Sequence, residues 1–471
     1  MHIMSFESSM SSPVADQTGW QVPERPVLEG LEDRWAARWR DEGTFAFTRP
    51  ESREQVFAID TPPPTVSGSL HVGHIFSYTH TDLIARYQRM RGKHVFYPMG
   101  FDDNGLPTER LVEKRLGIKA SQVERQEFIR CCLEISEEAE KEYRALWQRL
   151  GLSIDWTLTY RTIDANCRRL SQASFIDLVL KKLAYRRQAP TLWCPLCRTA
   201  IAQADLEDNQ RETEFVTLPF KSPNGVILPI ATTRPELLAA CVAVFVHPDD
   251  LRYQSWIGTI VEVPFYGQQV PVMTDSAVDP SKGSGAVMCC TFGDQADVSW
   301  WLTYNLPFIQ AIDQDGRMTP ACGDLQGLTT IEARKAIKEK LKDMKLILER
   351  QPASQSIRVH ERCDTPVETI ITMQWFIRAL DFREQLIEAG ERIAWHPESM
   401  RARYRSWVEN LSWDWCISRQ RFYGVSFPVW YCDTCGEVML ADIDQLPVDP
   451  IVVTPPRTCT CGSDRFIPET D

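Results

Sequence analysis

Three consecutive prolines, Pro62-Pro63-Pro64, stand shortly after the apolar run Val56-Phe57-Ala58-Ile59 and lead into Thr65-Val66-Ser67-Gly68. Each proline fixes its own φ and lacks an N–H, so this stretch cannot be helical and must be a loop. The apolar run before it reads as a buried strand. After it, Ile75, Leu83, Ile84, Tyr87 and Met90 keep a helical period up to Gly92, a natural C-terminal stop, and His94-Val95-Phe96-Tyr97-Pro98 reads as a second strand. Strand, loop, helix, strand is the βαβ unit of a parallel, doubly wound sheet, which binds its ligands at the carboxyl ends of its strands.

Near the start of that helix, His71 and His74 lie one turn apart and share a face, with Gly73 between them. A helix N-terminus offers free N–H groups and the positive end of a dipole, and two imidazoles there could donate to a triphosphate. A pair of histidines satisfied at a helix cap is the plainer reading of HxxH alone. Past the second strand comes Gly100-Phe101-Asp102-Asp103-Asn104-Gly105. Its residue types fit a turn cap as well as a binding carboxylate.

The chain has 471 residues, enough for two to four domains, and its 43% hydrophobic and 25% charged residues are ordinary for a folded protein. Met1 to about Gln21 is Ser-rich and unpatterned, a flexible leader with no signal-peptide character. Leu28, Leu31, Trp35 and Trp39 then follow a helical period, with both tryptophans expected in the core. Thr330 to Leu348 reads as an amphipathic helix with Ile331, Ala336, Ile337, Leu341 and Met344 inward. Lys119 to Leu150 reads similarly, with Phe128, Leu133, Tyr143, Leu146 and Leu150 inward. The longest apolar stretch, Leu237 to Val246, is too short to cross a bilayer, so a cytoplasmic protein without membrane contact is expected. A net charge of −12 disfavours broad phosphate binding and confines any RNA contact to local basic patches.

Fifteen cysteines, an odd number, argue for metal ligands and free thiols over a disulfide framework. Cys194-Pro195-Leu196-Cys197 has the CxxC turn of a zinc knuckle, and His360-Glu361-Arg362-Cys363 supplies HxxC far downstream. Together they would make a closed, structural Cys3His site for Zn2+. Cys432, Cys435, Cys459 and Cys461 form a second candidate set in which CxC replaces one CxxC. The remaining cysteines, Cys131, Cys132, Cys167, Cys241, Cys289, Cys290, Cys322 and Cys416, read as buried small hydrophobes.

The run from Pro62 to His74 resembles the ATP-binding signature of class I aminoacyl-tRNA synthetases. Gly100 to Glu109 is similar to the valyl branch of archaeal type, and Trp413-Asp414-Trp415-Cys416-Ile417-Ser418-Arg419-Gln420-Arg421 resembles the return into the same catalytic domain. The resemblance runs from about Val27 to Asp471. It implies a Rossmann-like α/β catalytic domain, here incomplete, interrupted by an inserted β-rich α/β editing domain and carrying zinc knuckles. The expected division is a leader (1–21), the first catalytic part (22–190), a zinc-knuckle connector (191–209), the editing insert (210–350), a return connector with HxxC (351–395) and the return to the catalytic domain with the second knuckle (396–471).

By the same resemblance, His71 and His74 serve catalysis. Thr61, Pro62, Gly73 and the two histidines bind ATP, supplied with Mg2+, and Gly73 lets the adenine approach. Pro64 and Asp102 hold the amino acid, Asp102 through its α-ammonium. Ile230-Ala231-Thr232-Thr233-Arg234-Pro235-Glu236 and the segment from Gly283 to Asp297 resemble the halves of an editing pocket. There Thr232, Thr233, Arg234, Asp294 and Asp297 would hold a mischarged threonyl ester for hydrolysis; a plain strand end and a solvated turn are the alternative. Met288 stands where the bacterial branch often has Lys.

The implied activity is ligation of L-valine to tRNA(Val) with editing of threonyl-tRNA(Val). The family's lysine loop and anticodon-binding domain do not occur before Asp471. A truncated or split form with impaired activation is therefore expected, with a separate polypeptide supplying the rest. A stand-alone trans-editing hydrolase and a paralogue binding ATP or an amino acid without charging tRNA are the alternatives.

Overall fold

The computed structural model describes residues 29–471, so the leader, Val27 and Leu28 lie outside the described residues. The chain forms two compact units, divided between Asp164 and Ala165.

In the first unit the order is α1 (Leu31–Asp41), β1 (Val56–Ala58), α2 (Val72–Met90), β2 (His94–Phe96), β3 (Gly100–Phe101), α3 (Leu106–Leu116), α4 (Arg125–Arg149) and β4 (Tyr160–Arg161). β1 pairs with β2 in parallel and β3 pairs with β4 in parallel, as the βαβ pattern requires. The proline loop is extended. Its Thr65 makes a parallel bridge to Asp102, with the Val66 N–H donating to the Asp102 carbonyl at 2.8 Å and the Asp102 N–H to the Pro64 carbonyl at 2.9 Å. The core gathers Tyr78 and Ala85 of α2, Tyr97, Met99 and Phe101 of the strand region, and Tyr143 and Trp147 of α4.

Helical periodicity located these helices and placed Phe128 and Tyr143 correctly, but it put other residues inward that the fold leaves out. α1 buries no residue: Trp35 is 36% exposed and stacks under Arg38, while Trp39 lies against Phe45 and Arg86. The two tryptophans are thus covered by guanidinium groups, and neither is core. On α4 the buried row is Phe128, Cys132, Ile135, Ala139, Tyr143 and Trp147, which leaves Leu133 and Leu150 on the exposed side.

The second unit continues through α5 (Ala165–Leu180), β5 (Ala184–Cys194), β6 (Thr199–Ala200), β7 (Leu206–Lys221), β8 (Ile227–Thr232), β9 (Cys241–Val246), β10 (Ile260–Glu262), β11 (Gln269–Thr274), β12 (Ala286–Cys290), α6 (Gln295–Tyr304), α7 (Thr330–Asp343), β13 (Glu349–His360), β14 (Thr365–Pro366) and β15 (Glu368–Ile377). It closes with α8 (Arg383–Glu391), α9 (Ser399–Glu409), β16 (Trp415–Cys416), β17 (Val429–Cys432), β18 (Val438–Leu440) and β19 (Phe466–Pro468).

The main sheet runs β12-β9-β11-β10-β7-β13-β14, with β8 also on β7. β9, an unbroken apolar run, is buried along its whole length between β11 and β12. α7 begins at a reciprocal cap between Thr329 and Glu332 and packs Ala333, Ile337 and Leu341 onto the core; Ile331 and Met344, expected inward, are 70% and 55% exposed. A separate sheet, β16-β15-β5-β6, is built on the long antiparallel pair of β5 and β15, and β17, β18 and β19 form a small sheet of their own. Among the described residues no helix is long and apolar enough to cross a membrane.

Candidate functional site

In the first unit, His71 is the N-cap of α2. Its Nδ1 accepts the Gly73 N–H at 3.1 Å, and the His74 Nδ1 accepts the His71 N–H at 3.3 Å. The rings lie 4.1 Å apart. With both Nδ1 atoms accepting backbone protons, the neutral tautomers carry their own protons on Nε2, so each ring keeps one N–H donor beyond the cap. Burial and the neighbouring His71 both lower the His74 pKa. Gly73 has a local reason to be glycine: a Cβ there would sit 2.9 Å from Cε1 of His71.

Around this cap the proline loop is held at both ends. The Tyr78 hydroxyl donates to the Pro62 carbonyl at 2.9 Å and the Tyr143 hydroxyl donates to the Gly68 carbonyl. Pro64 is buried, Thr61 is half-buried, and Asp102 is half-buried beside the loop. Asp102 accepts from Thr162 Oγ1 at 3.2 Å. The turn-organising role belongs to its neighbour: Asp103, fully buried, accepts the Ile163 N–H at 3.2 Å and pairs with Arg161 at 3.1 Å. Arg161 also meets Glu140 at 2.8 Å. Burial first, then the nearby Asp103, push the Glu140 carboxyl up to about 7 against the pull of Arg161.

In the second unit the two motifs flanking β8 and β12 come together. Ala231 N–H donates to Ser284 Oγ at 3.1 Å, and Arg234 Nη1 donates to the Gly293 carbonyl at 3.0 Å. Thr232 ends β8, 7% exposed, and its hydroxyl accepts the Arg234 N–H at 3.0 Å; Thr233 is half-buried beside it. Asp294 is exposed and caps α6 by accepting the Asp297 N–H at 3.1 Å. Asp297 is buried and accepts the Gly293 N–H at 2.7 Å. Burial, then the charge of Asp294, raise its pKa well above the usual carboxylate range.

Arg234 is engaged on every side: Nε lies 3.1 Å from Glu236, which also binds Arg334, and Nη2 lies 2.9 Å from Glu368. Glu368 had no signal in the sequence beyond an acid inside an apolar strand.

The first cysteine set closes into a cluster. Cys363 Sγ is 3.5 Å from Cys194 Sγ and 3.5 Å from Cys197 Sγ, and His360 Nδ1 is 3.5 Å from Cys197 Sγ and 3.4 Å from Cys363 Sγ. A tetrahedron with bonds of about 2.0–2.3 Å has edges of roughly 3.5–3.8 Å, so the donor set fits zinc. These separations are far beyond the ~2.05 Å of a disulfide, and none of the fifteen cysteines forms one. Cys432 lies 3.6 Å from Cys461 and Cys435 lies 3.5 Å from Cys459, so the CxC spacing still brings four thiols together. Of the cysteines expected to be buried hydrophobes, Cys131 and Cys167 are only half-buried and the others are buried.

The family described as tRNA synthetases class I (I, L, M and V) matches residues 34–450. Among curated proteins, a Thermoplasma acidophilum protein named valine--tRNA ligase is 50% identical over 94% of this chain and 56% of its own length. Proteins of the same name from Thermoplasma volcanium and Rickettsia conorii are each 47% identical, over 94% and 89% of this chain and 56% and 52% of their own lengths. The chain thus spans about half the length of the curated relatives it matches. A solved LeuRS–tRNA–LeuAMS complex from Agrobacterium radiobacter covers 88% of this chain and 52% of its own at 20% identity and a TM-score of 0.42, too loose to assign residues.

Proposed function

The chain belongs to the class I tRNA synthetases of the isoleucine, leucine, methionine and valine group, and from that premise we propose that it activates L-valine with ATP for transfer to tRNA(Val) and hydrolyses threonyl-tRNA(Val). The observation that carries the reading is the cap of α2, where two imidazoles spend their Nδ1 atoms on the backbone and keep their Nε2 donors for a ligand. The name shared by the relatives supports the choice of valine.

In activation, a carboxylate oxygen of valine attacks the α-phosphorus of ATP and the bond to pyrophosphate breaks. Negative charge shifts onto the leaving phosphates. His71 and His74, with the free N–H groups of α2, supply donors where that charge gathers, as the N-terminus of a helix favours anions. Gly73, Thr61 and Pro62 border the nucleotide, Mg2+ accompanies the phosphates, and Pro64 and Asp102 receive the amino acid, with the Asp102 carboxylate facing its ammonium. In the second unit Thr232, Thr233, Asp294 and Asp297 surround the threonyl ester, which water cleaves. Cys194, Cys197, His360 and Cys363 hold one Zn2+ and Cys432, Cys435, Cys459 and Cys461 another, both structural. The setting is the cytoplasm.

Valine-dependent ATP–pyrophosphate exchange tests this reading, measured on the chain alone and with a polypeptide covering the rest of the Thermoplasma acidophilum relative's length. Exchange that His74→Ala abolishes is expected in at least one of the two. Absence of exchange in both overturns it.

A further inference from the structure

The 293–297 turn carries both aspartates of the second unit's site, and something has to fix where it sits. A side-chain hydrogen bond ties it to the β8 motif, from the Arg234 guanidinium to the Gly293 carbonyl, 3.0 Å away. Gly293 in turn donates its N–H to Asp297 at 2.7 Å, so a shift of the carbonyl moves the aspartate with it. Arg234 is therefore a poor candidate for contacting a substrate: its Nε and both Nη atoms are already committed to protein partners.

What aims the guanidinium is a pair of carboxylates. Glu236 is fully buried and shared with Arg334, which binds it through two nitrogens at 2.7 and 3.0 Å. Glu368, its side chain 7% exposed, binds Nη2 of Arg234 at 2.9 Å. Glu368 opens β15, the strand paired along its length with β5, and does not come from the sheet that carries the two motifs. Two arginines and two glutamates balance in charge, and burial strengthens each contact, so removing one carboxylate leaves a guanidinium short of a partner.

We propose that Glu368 is a positioning residue for the hydrolytic site: through Arg234 it holds the 293–297 turn, so that the site is completed by the strand flanking the insert and not by the insert alone. The inference rests on the hydrolytic reading of that site. It also predicts that the turn's order, and not only turnover, depends on Glu368.

The test uses the whole chain with Glu368→Gln, Glu368→Asp and, as a control, Glu214→Gln, which removes an ion pair with Lys338 and Arg350 away from the site. Two readouts are taken: kcat and KM for deacylation of threonyl-tRNA(Val), and amide-proton exchange of residues 293–297 against that of β9. Glu368→Gln is expected to lower kcat by about 10- to 100-fold, the scale of a sub-ångström to 1 Å misplacement, with KM nearly unchanged. It should also speed exchange at Gly293 and Asp297 by about tenfold while β9 stays protected. Glu368→Asp, which keeps the charge, should recover part of both.

Should the unmodified chain show no deacylation while Glu368→Gln still loosens the turn, the hydrolytic reading falls and the latch stands. Turn exchange unaltered in Glu368→Gln overturns the latch whether or not the chain hydrolyses ester. Loosening shared by β9, or matched by Glu214→Gln, shows a general loss of stability and overturns it as well.

Discussion

Replacing Glu140 by Gln should make the first unit more stable above neutral pH and leave it unchanged in acid. Glu140 and the fully buried Asp103 share a single guanidinium, Arg161, at 2.8 and 3.1 Å. One carboxylate balances that charge; the second is surplus in a site where Glu140 itself is 9% exposed. Burial is the main cause that raises the Glu140 carboxyl to about 7, and a protonated Glu140 can donate to Asp103. Displacement from 4.5 to about 7 corresponds to roughly 3 kcal/mol. Because the folded chain holds the proton more tightly than the unfolded one, this contribution is complete below about pH 4.5 and is lost as pH rises through about 7.

Gln cannot ionise, yet it keeps an N–H donor for Asp103. Urea unfolding of both proteins between about pH 5 and 8 should show near-equal stability at the acid end, with Glu140→Gln ahead by up to roughly 3 kcal/mol at the alkaline end. Parallel pH profiles for the two proteins, or a loss of stability at acid pH on substitution, would refute the reasoning.

Cys363→Ser should lower the zinc content from about two ions per chain to about one, measured by elemental analysis, while Cys459→Ser removes the other ion. Tyr143→Phe deletes the hydroxyl that holds Gly68 and should cost about 1 kcal/mol of stability in urea unfolding, together with weaker ATP binding in a nucleotide titration. Phe245 is fully buried and stacked on Trp300 at 4.4 Å, so Phe245→Ala should destabilise the second unit by about 3–5 kcal/mol in the same unfolding assay.

What could be read from the chain and what could not follow from how far apart the interacting residues lie. The α2 cap was legible because His71, Gly73 and His74 are neighbours in sequence, although the closeness of Gly73 to the His71 ring appears only in the folded cap. The cysteine clusters were legible because CxxC and HxxC are local turns that join only across the fold. Trp35 and Trp39 were misplaced because a helical period names a stripe without saying what covers it, and here arginines do. For Asp102 the residue types left a turn cap and a binding carboxylate both open; only the fold shows Asp103 buried against Ile163 and Arg161 while Asp102 stays half-buried on Thr162. Arg234 was found by its motif, but its partner Glu368 lies 134 positions away, and no local pattern reports a salt bridge of that span.

The antiparallel ribbon made by Leu206–Glu214 and Pro352–His360 has a mechanical consequence. No residue of its first strand is buried, so over roughly 30 Å it has little packing to stiffen it. Such a strap resists stretching, since backbone hydrogen bonds run across it, but it bends readily out of its own plane. At its foot His360 and Cys363 meet Cys194 and Cys197, so an ion held there would act as a rivet, tying the end of the ribbon to the end of β5. Withdrawing a metal from it would loosen the foot of the ribbon while the main sheet's core and the Arg234–Glu368 pair stay in place, so that a chelator would act on the ribbon before it acts on whether the sheet is folded.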